Sequence, residues 1–171
     1  LLLQIRNPDD PMRGQEIECF ARALQTVAGQ FTTLDLLTKS PTPAELDRHD
    51  VVLLGGSGHY SATPNPPPDW LRRTMAALRE LHAAGKPTFA SCWGFQAFSR
   101  ALGGEVVHDL SRAELGTHSL RLTDAGKADP IFGALGETLA GQMGHEDRVS
   151  RLPPAATLLP STALVQQQAH C

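Results

Sequence analysis

The sequence predicts an α/β fold: an open, mostly parallel sheet with helices on both faces, and a small antiparallel segment toward the carboxyl end. Three observations predict it. Short apolar runs alternate with stretches of helical periodicity through the first hundred residues, the pattern of parallel strands joined by crossover helices. The runs stop at Gly-rich or small-residue turns, where helices then begin. Beyond residue 104 the spacing becomes strand-rich instead. With 171 residues, 41% of them hydrophobic, the chain is long enough for one core, and residues 1–171 are read as a single domain.

Each element has its own signal. Leu1–Arg6 is an apolar strand that ends in the loop signature Asn7-Pro8-Asp9-Asp10-Pro11. Glu16–Ala28 places Ile17, Phe20, Ala21, Leu24 and Val27 at helical spacing ahead of Gly29. Phe31–Leu37 reads as a second strand, and Pro41-Thr42-Pro43 opens a polar connection. Asp50–Leu54 is a β-branched strand that stops at Gly55-Gly56-Ser57-Gly58. The Pro-rich stretch Pro64–Pro68 leads to Asp69, an N-cap for a helix over Trp70–Ala84. Pro87–Ser91 is the fourth strand and runs straight into Cys92, with a helix over Phe95–Leu102 closed by Gly103-Gly104. Glu105–Val107, Leu115–Leu122, Ala156–Leu159 and Ala163–Gln168 are the later strands, with turns at Asp124-Ala125-Gly126 and Pro153-Pro154.

Composition removes several functions. Lys and Arg number 15 against 18 Asp and Glu, a net charge of -3, so no basic surplus exists to neutralise a phosphate backbone. Aromatic residues at 5% offer no base-stacking surface. No apolar run reaches the roughly 18 residues of a membrane span. The expected partners therefore include neither nucleic acid nor membrane. Cys19, Cys92 and Cys171 are too scattered for a disulfide framework or zinc knuckle, which points to a reducing, cytoplasmic setting. His108, His118 and Glu114 lack metal-ligand spacing, so no metal and no cofactor is expected.

The chemistry concentrates at Ala90-Ser91-Cys92-Trp93-Gly94-Phe95-Gln96. A strand delivers Cys92 to a sharp turn flanked two residues away by Ala90 and Gly94, and a helix starts at once, the mechanical plan of a nucleophile elbow. The helix N-terminus favours thiolate over thiol. The backbone N–H of Trp93 is placed to hold the oxyanion that forms when the thiolate attacks a carbonyl carbon. Gly55-Gly56-Ser57-Gly58 also follows a strand, so in a parallel sheet it reaches the same carboxyl edge. Its glycines expose N–H groups for an oxyanion hole.

These residues resemble the class I, triad-type glutamine amidotransferases, in particular domains similar to the amidotransferase half of GMP synthetase. Asp50–Gly58 looks like the family's strand and oxyanion loop, and Ala90–Gln96 like its Gly-x-Cys-x-Gly-His-Gln elbow. Glu114-Leu115-Gly116, Asp129-Pro130-Ile131-Phe132 and Gly144-His145-Glu146-Asp147 match further motifs in the family's order. Ala90 stands where the family usually has Gly, and Phe95 where it often has His.

The resemblance implies a glutaminase. Cys92 attacks the side-chain amide of L-glutamine, ammonia leaves for a partner synthetase, and a glutamyl thioester is hydrolysed. Gly56 and Trp93 supply oxyanion N–H groups, while Ser57, Gln96 and His145 contact the substrate. It also implies a His-x-Glu pair in a Gln-Phe-His-Pro-Glu motif, which these 171 residues do not contain. Gln168-Ala169-His170 resembles the Gln-Ala-Phe strand about one hairpin ahead of it, so the domain is expected to lack its carboxyl-terminal catalytic segment. Two other readings follow: a hydrolase of γ-glutamyl amides or peptides without a synthetase, and a glutamine-binding regulatory module without catalysis.

Overall fold

The computed structural model describes residues 1–171 and groups them into two compact units, residues 1–98 and 99–171. The first unit carries the parallel sheet. Its elements are β1 (Leu2–Gln4), α1 (Met12–Ala23), β2 (Thr33–Asp35), α2 (Pro43–Asp47), β3 (Val52–Leu54), α3 (Asp69–Ala83) and β4 (Thr88–Ala90). The strands lie in the order β2-β1-β3-β4, each parallel to its neighbours. Every residue of β1 and β3 is buried, as strands covered on both faces require. On α3, Leu71, Met75, Leu78 and Leu81 recur at helical spacing and are all buried, so one stripe of that helix closes the core.

Two elements differ from expectation for local reasons. The first helix runs Met12–Ala23 and stops at Leu24, because Gln25 turns left-handed at φ 53° well before Gly29. The polar connection after β2 holds a helix, α2. Thr42 and Glu45 form a reciprocal capping box there, with Pro43 in the first helical turn.

Helix α4 (Trp93–Ala101) begins in the first unit and ends in the second. The second unit continues with β5 (Glu105–His108), β6 (Glu114–Leu122), α5 (Asp124–Ala128), β7 (Thr138–His145), β8 (Asp147–Arg151) and β9 (Pro160–Ser161). β5 pairs with β8, and β6 pairs with both β7 and β9, all antiparallel. Strands expected over 156–159 and 163–168 are not formed. The segment is irregular, with the two-residue β9 and a lone bridge between Leu158 and His170. Thr162 folds the chain back by accepting from the Val165 N–H at 2.9 Å, and residues 157–159 meet 169–171 instead, the Leu159 N–H donating to the Ala169 carbonyl at 3.0 Å. Sequence patterning missed β7, whose glycines lower strand propensity. At Gly141 a Cβ would meet Leu120 Cδ1 at 2.4 Å, so a larger residue there requires that side chain to shift. The turn expected at Asp124 is α5, capped by the Thr123 hydroxyl accepting from the Gly126 N–H.

Candidate active site

A parallel sheet brings the carboxyl ends of all its strands to one edge. In the order β2-β1-β3-β4 the chain switches direction between β1 and β3, the place where open α/β sheets form crevices. The segments that leave this edge are Ile5–Arg6 after β1, Gly55–Gly58 after β3 and Ser91–Cys92 after β4.

Cys92 sits between β4 and α4 with φ 51°, a left-handed backbone that costs a non-glycine residue on the order of 1–2 kcal/mol. The neighbours hold it there. Ser91 N–H donates to the Leu54 carbonyl at 3.0 Å, and Gly94 N–H donates to the Gly55 carbonyl at 3.1 Å. A Cβ on Gly94 would lie 2.6 Å from Leu54 Cβ, so only glycine lets α4 start this close to β3. The elbow is thus lashed to the end of the adjacent strand.

The Cys92 side chain is open to solvent, yet the protein mass around its sulfur desolvates it and pushes the thiol pKa up. The backbone N–H groups of Trp93 and Ser57 hydrogen-bond the sulfur and pull the other way, as does the nearby Arg6 charge, while Glu16 adds to the rise. For attack by or on a small molecule, the direct opening to solvent matters more than the surrounding density. The sulfur is reachable, and two amides already point at it.

The oxyanion loop is packed from both sides. A Cβ on Gly56 would stand 3.3 Å from Cys92 Cβ and 3.7 Å from its Sγ. A Cβ on Gly55 would stand 2.3–2.5 Å from the Glu16 carboxylate. The Gly56 N–H, expected to serve an oxyanion, donates to Glu16 Oε1 at 2.9 Å. The adjacent N–H of Ser57 is the one that reaches the sulfur, and the Ser57 hydroxyl accepts from the His59 and Tyr60 N–H groups at 3.2 and 3.0 Å.

Trp93 is buried and its ring lies 6.0 Å from Trp70, which meets Tyr60 edge-on at 5.5 Å. Gln96 is buried on α4. His145 belongs to the second unit, at the end of β7. Its Nε2 is 3.1 Å from Glu114 Oε2, while its Nδ1 is buried without a partner. Glu114 is fully buried and also accepts from Thr162 Oγ1 at 2.6 Å and from Gln168 Nε2. Cys92, Gly56, Ser57, Trp93 and Gln96 therefore share one unit, with His145 in the other. No group of three or more His, Cys, Asp or Glu side chains stands at metal-holding geometry, and no helix is long and apolar enough to cross a membrane.

Sequence reasoning missed Arg6 and Glu16. Both are buried at 8% exposure, and Arg6 Nη2 meets Glu16 Oε1 at 3.0 Å. The available signal was a carboxylate one turn ahead of Phe20 on the apolar stripe of α1.

Comparison with known proteins agrees with this geometry. The family model described as glutamine amidotransferase class-I matches residues 15–167. Gamma-glutamyl peptidase 5 of Arabidopsis thaliana is 31% identical over 121 residues, 70% of this chain and 47% of that protein. Glutamine amidotransferase-like protein chyE of Penicillium rubens is 31% identical over 158 residues, 88% of this chain and 64% of that protein. The GMP synthase (glutamine-hydrolysing) of Streptomyces avermitilis is 28% identical over 82% of this chain and 23% of its own length. The chain thus spans about half to two thirds of the first two relatives. A glutamine amidotransferase from Thermotoga maritima superposes with TM-score 0.78 at 20% identity, covering 99% of this chain and 70% of that one. At that identity it shows the shared fold alone.

Proposed function

The chain belongs to the glutamine amidotransferase class-I family, and on that premise we propose that it hydrolyses the side-chain amide of L-glutamine through Cys92 and passes the ammonia to a partner synthetase. The observation that carries the reading is the Cys92 sulfur, held at a strand-to-helix turn with the Trp93 and Ser57 N–H groups upon it. The thiolate adds to the amide carbon, and the oxygen takes up the negative charge beside those same amides. Collapse expels the amide nitrogen, which leaves as ammonia once protonated. Water then cleaves the glutamyl thioester to glutamate and restores the thiol. Trp93 and Ser57 act as oxyanion donors here, and the Gly56 N–H is engaged by Glu16. Gln96 contacts the bound amino acid.

A second reading, hydrolysis of γ-glutamyl amides or peptides with no synthetase, is favoured by the 31% identity to a protein named gamma-glutamyl peptidase. Both readings share the glutamyl thioester and differ in the leaving group.

Intact mass spectrometry with a diazo-ketone analogue of glutamine tests the shared step. The 18.4 kDa chain gains one adduct, mapped to Cys92 and lost in Cys92→Ala. A folded protein that gains none overturns the proposal and leaves binding without chemistry. Ammonia release from glutamine is then set against nitroaniline release from a γ-glutamyl anilide. Faster anilide turnover selects the peptidase reading.

A further inference from the structure

The loop beside Cys92 is held by a buried charged cluster that has no part in the chemistry just described. Glu16 on α1 is its centre. Oε1 accepts from the Gly56 N–H at 2.9 Å and from Arg6 Nη2 at 3.0 Å, and Oε2 accepts from Gln4 Nε2 at 3.0 Å. Gln4 Nε2 also donates to the Arg13 carbonyl at 2.9 Å, and Arg6 Nη1 reaches Asp10 at 3.2 Å. Apart from Gly56, each partner comes from the carboxyl end of β1, from α1, or from the turn between them.

Stability alone does not account for this cluster. A buried ion pair recovers its desolvation cost only when its remaining polar atoms are satisfied. Here Gln4 Oε1 and Arg6 Nε are buried with no protein partner. An apolar contact of the same volume would serve the core at least as well. What the carboxylate supplies and an apolar group cannot is an acceptor for the Gly56 N–H. Gly55 and Gly56 lie between the Glu16 carboxylate and the Cys92 side chain, with no room for a Cβ at Gly55. Fixing the Gly55–Gly56 peptide fixes the loop where Gly56 packs on Cys92, a Cβ there standing 3.7 Å from the sulfur.

We infer that Glu16 is a positioning residue for the nucleophile: its carboxylate, oriented by Arg6 and Gln4, holds the Gly55–Ser57 loop against the Cys92 side chain. This rests on the reading of Cys92 as the nucleophile. The charges that act on the sulfur are those of Arg6, from the end of β1, and Glu16, from α1. β3, its loop and the start of α4 bring amides. Glu16 therefore acts in two separable ways, as a hydrogen-bond acceptor for the loop and as a negative charge opposed by Arg6.

Two substitutions separate them. Glu16→Gln keeps an oxygen for the Gly56 N–H and removes the charge, and Glu16→Ala removes both. Inactivation by the diazo-ketone analogue is read as kinact and KI, and iodoacetamide alkylation is read on the Cys92 peptide. Displacing an aligned donor by about 1 Å costs on the order of ten- to a hundredfold, so Glu16→Ala lowers kinact about tenfold with KI nearly unchanged, and Glu16→Gln restores kinact. Alkylation by iodoacetamide falls in Glu16→Ala and stays at or above the unsubstituted rate in Glu16→Gln. A folded Glu16→Ala that reacts at the unsubstituted rate overturns the inference, and so does a Glu16→Gln as slow as Glu16→Ala. Should Glu16→Ala fail to fold, Gln4→Leu frees one carboxylate oxygen and lowers kinact about threefold by the same displacement; no change in it overturns the inference. A chain that alkylates with iodoacetamide but ignores the analogue defeats the glutamine reading alone, and the iodoacetamide rates still decide the role of Glu16.

Discussion

At Cys92, two demands on one residue conflict. The sulfur must be reachable, and it must sit deep enough for backbone N–H groups to surround it. Burial wins the electrostatic contest and raises the thiol pKa, with the Trp93 and Ser57 amides and Arg6 offsetting part of the rise. The protonated form therefore persists to higher pH than in a free thiol, whose pKa is about 8.5. Alkylation of Cys92 by iodoacetamide keeps climbing above that value. Peptide-resolved rates from pH 6 to 11 check this, and a Cys92 midpoint at or below that value would contradict it. The elbow was legible in the sequence because all of its requirements are local: a small residue on either side, a strand before and a helix after. The Glu16 bond to Gly56 spans 40 residues and has no local signature, so only the fold discloses it.

Among the elements, the β6–β7 ribbon depends on a group that strand patterning treats as surface. Glu114 opens β6 fully buried, paired in register with His145 at the end of β7. Its carboxylate gathers Thr162, Gln168 and His145. Removing it leaves the buried Thr162 hydroxyl and the half-buried Gln168 and His145 without this partner, and breaking such a polar cluster costs about 3 kcal/mol. Glu114→Ala is expected to destabilise the second unit by that amount, read by urea unfolding, with amide exchange quickening along β6 and β7. Unchanged protection there would mean that the backbone ladder alone holds the ribbon.

Element legibility follows the same division between local and distant causes. β1, β3 and α3 were readable from apolar periodicity, since their side chains form the core, and β4 from its short apolar run although none of its residues is buried. α2 was readable in principle from Thr42 and Glu45, three residues apart, but the prolines around it look like loop. β7 was hidden because its order comes from pairing with β6 across a connection, and its own composition argues for no structure. The expected strands at 156–168 erred in the opposite sense. Apolar content was there, but the Thr162 turn takes up 162–165, and residues 157–159 bond to 169–171 instead.

For the molecule as a whole, acid is the condition that its titrating groups oppose. Seven histidines stand against a net charge of -3, so protonating them reverses the sign. His170 matters most because burial lowers its pKa, and its Nε2 lies 2.8 Å from Ser99 Oγ. The folded chain keeps this ring neutral, while the unfolded chain protonates it near pH 6.5. A depressed folded-state pKa gives stability that is complete above the unfolded value and is lost as pH falls through the folded one. The melting temperature of the protein therefore drops more between pH 7 and 5 than that of His170→Gln. Parallel curves would assign the acid sensitivity elsewhere.

The all-parallel sheet has a practical corollary on the side away from Cys92. If the mouth lies where every strand ends, the turns that precede β3 and β4 lie at the far edge. Arg48 and Asp50 are accessible there, as is Gly85 at φ 64°, next to Lys86. Lys86 is one of only three lysines in the chain. Coupled to a sensor surface through that amine, the protein would stand with Cys92 turned to the liquid, ready for small molecules to be offered to it in a known orientation.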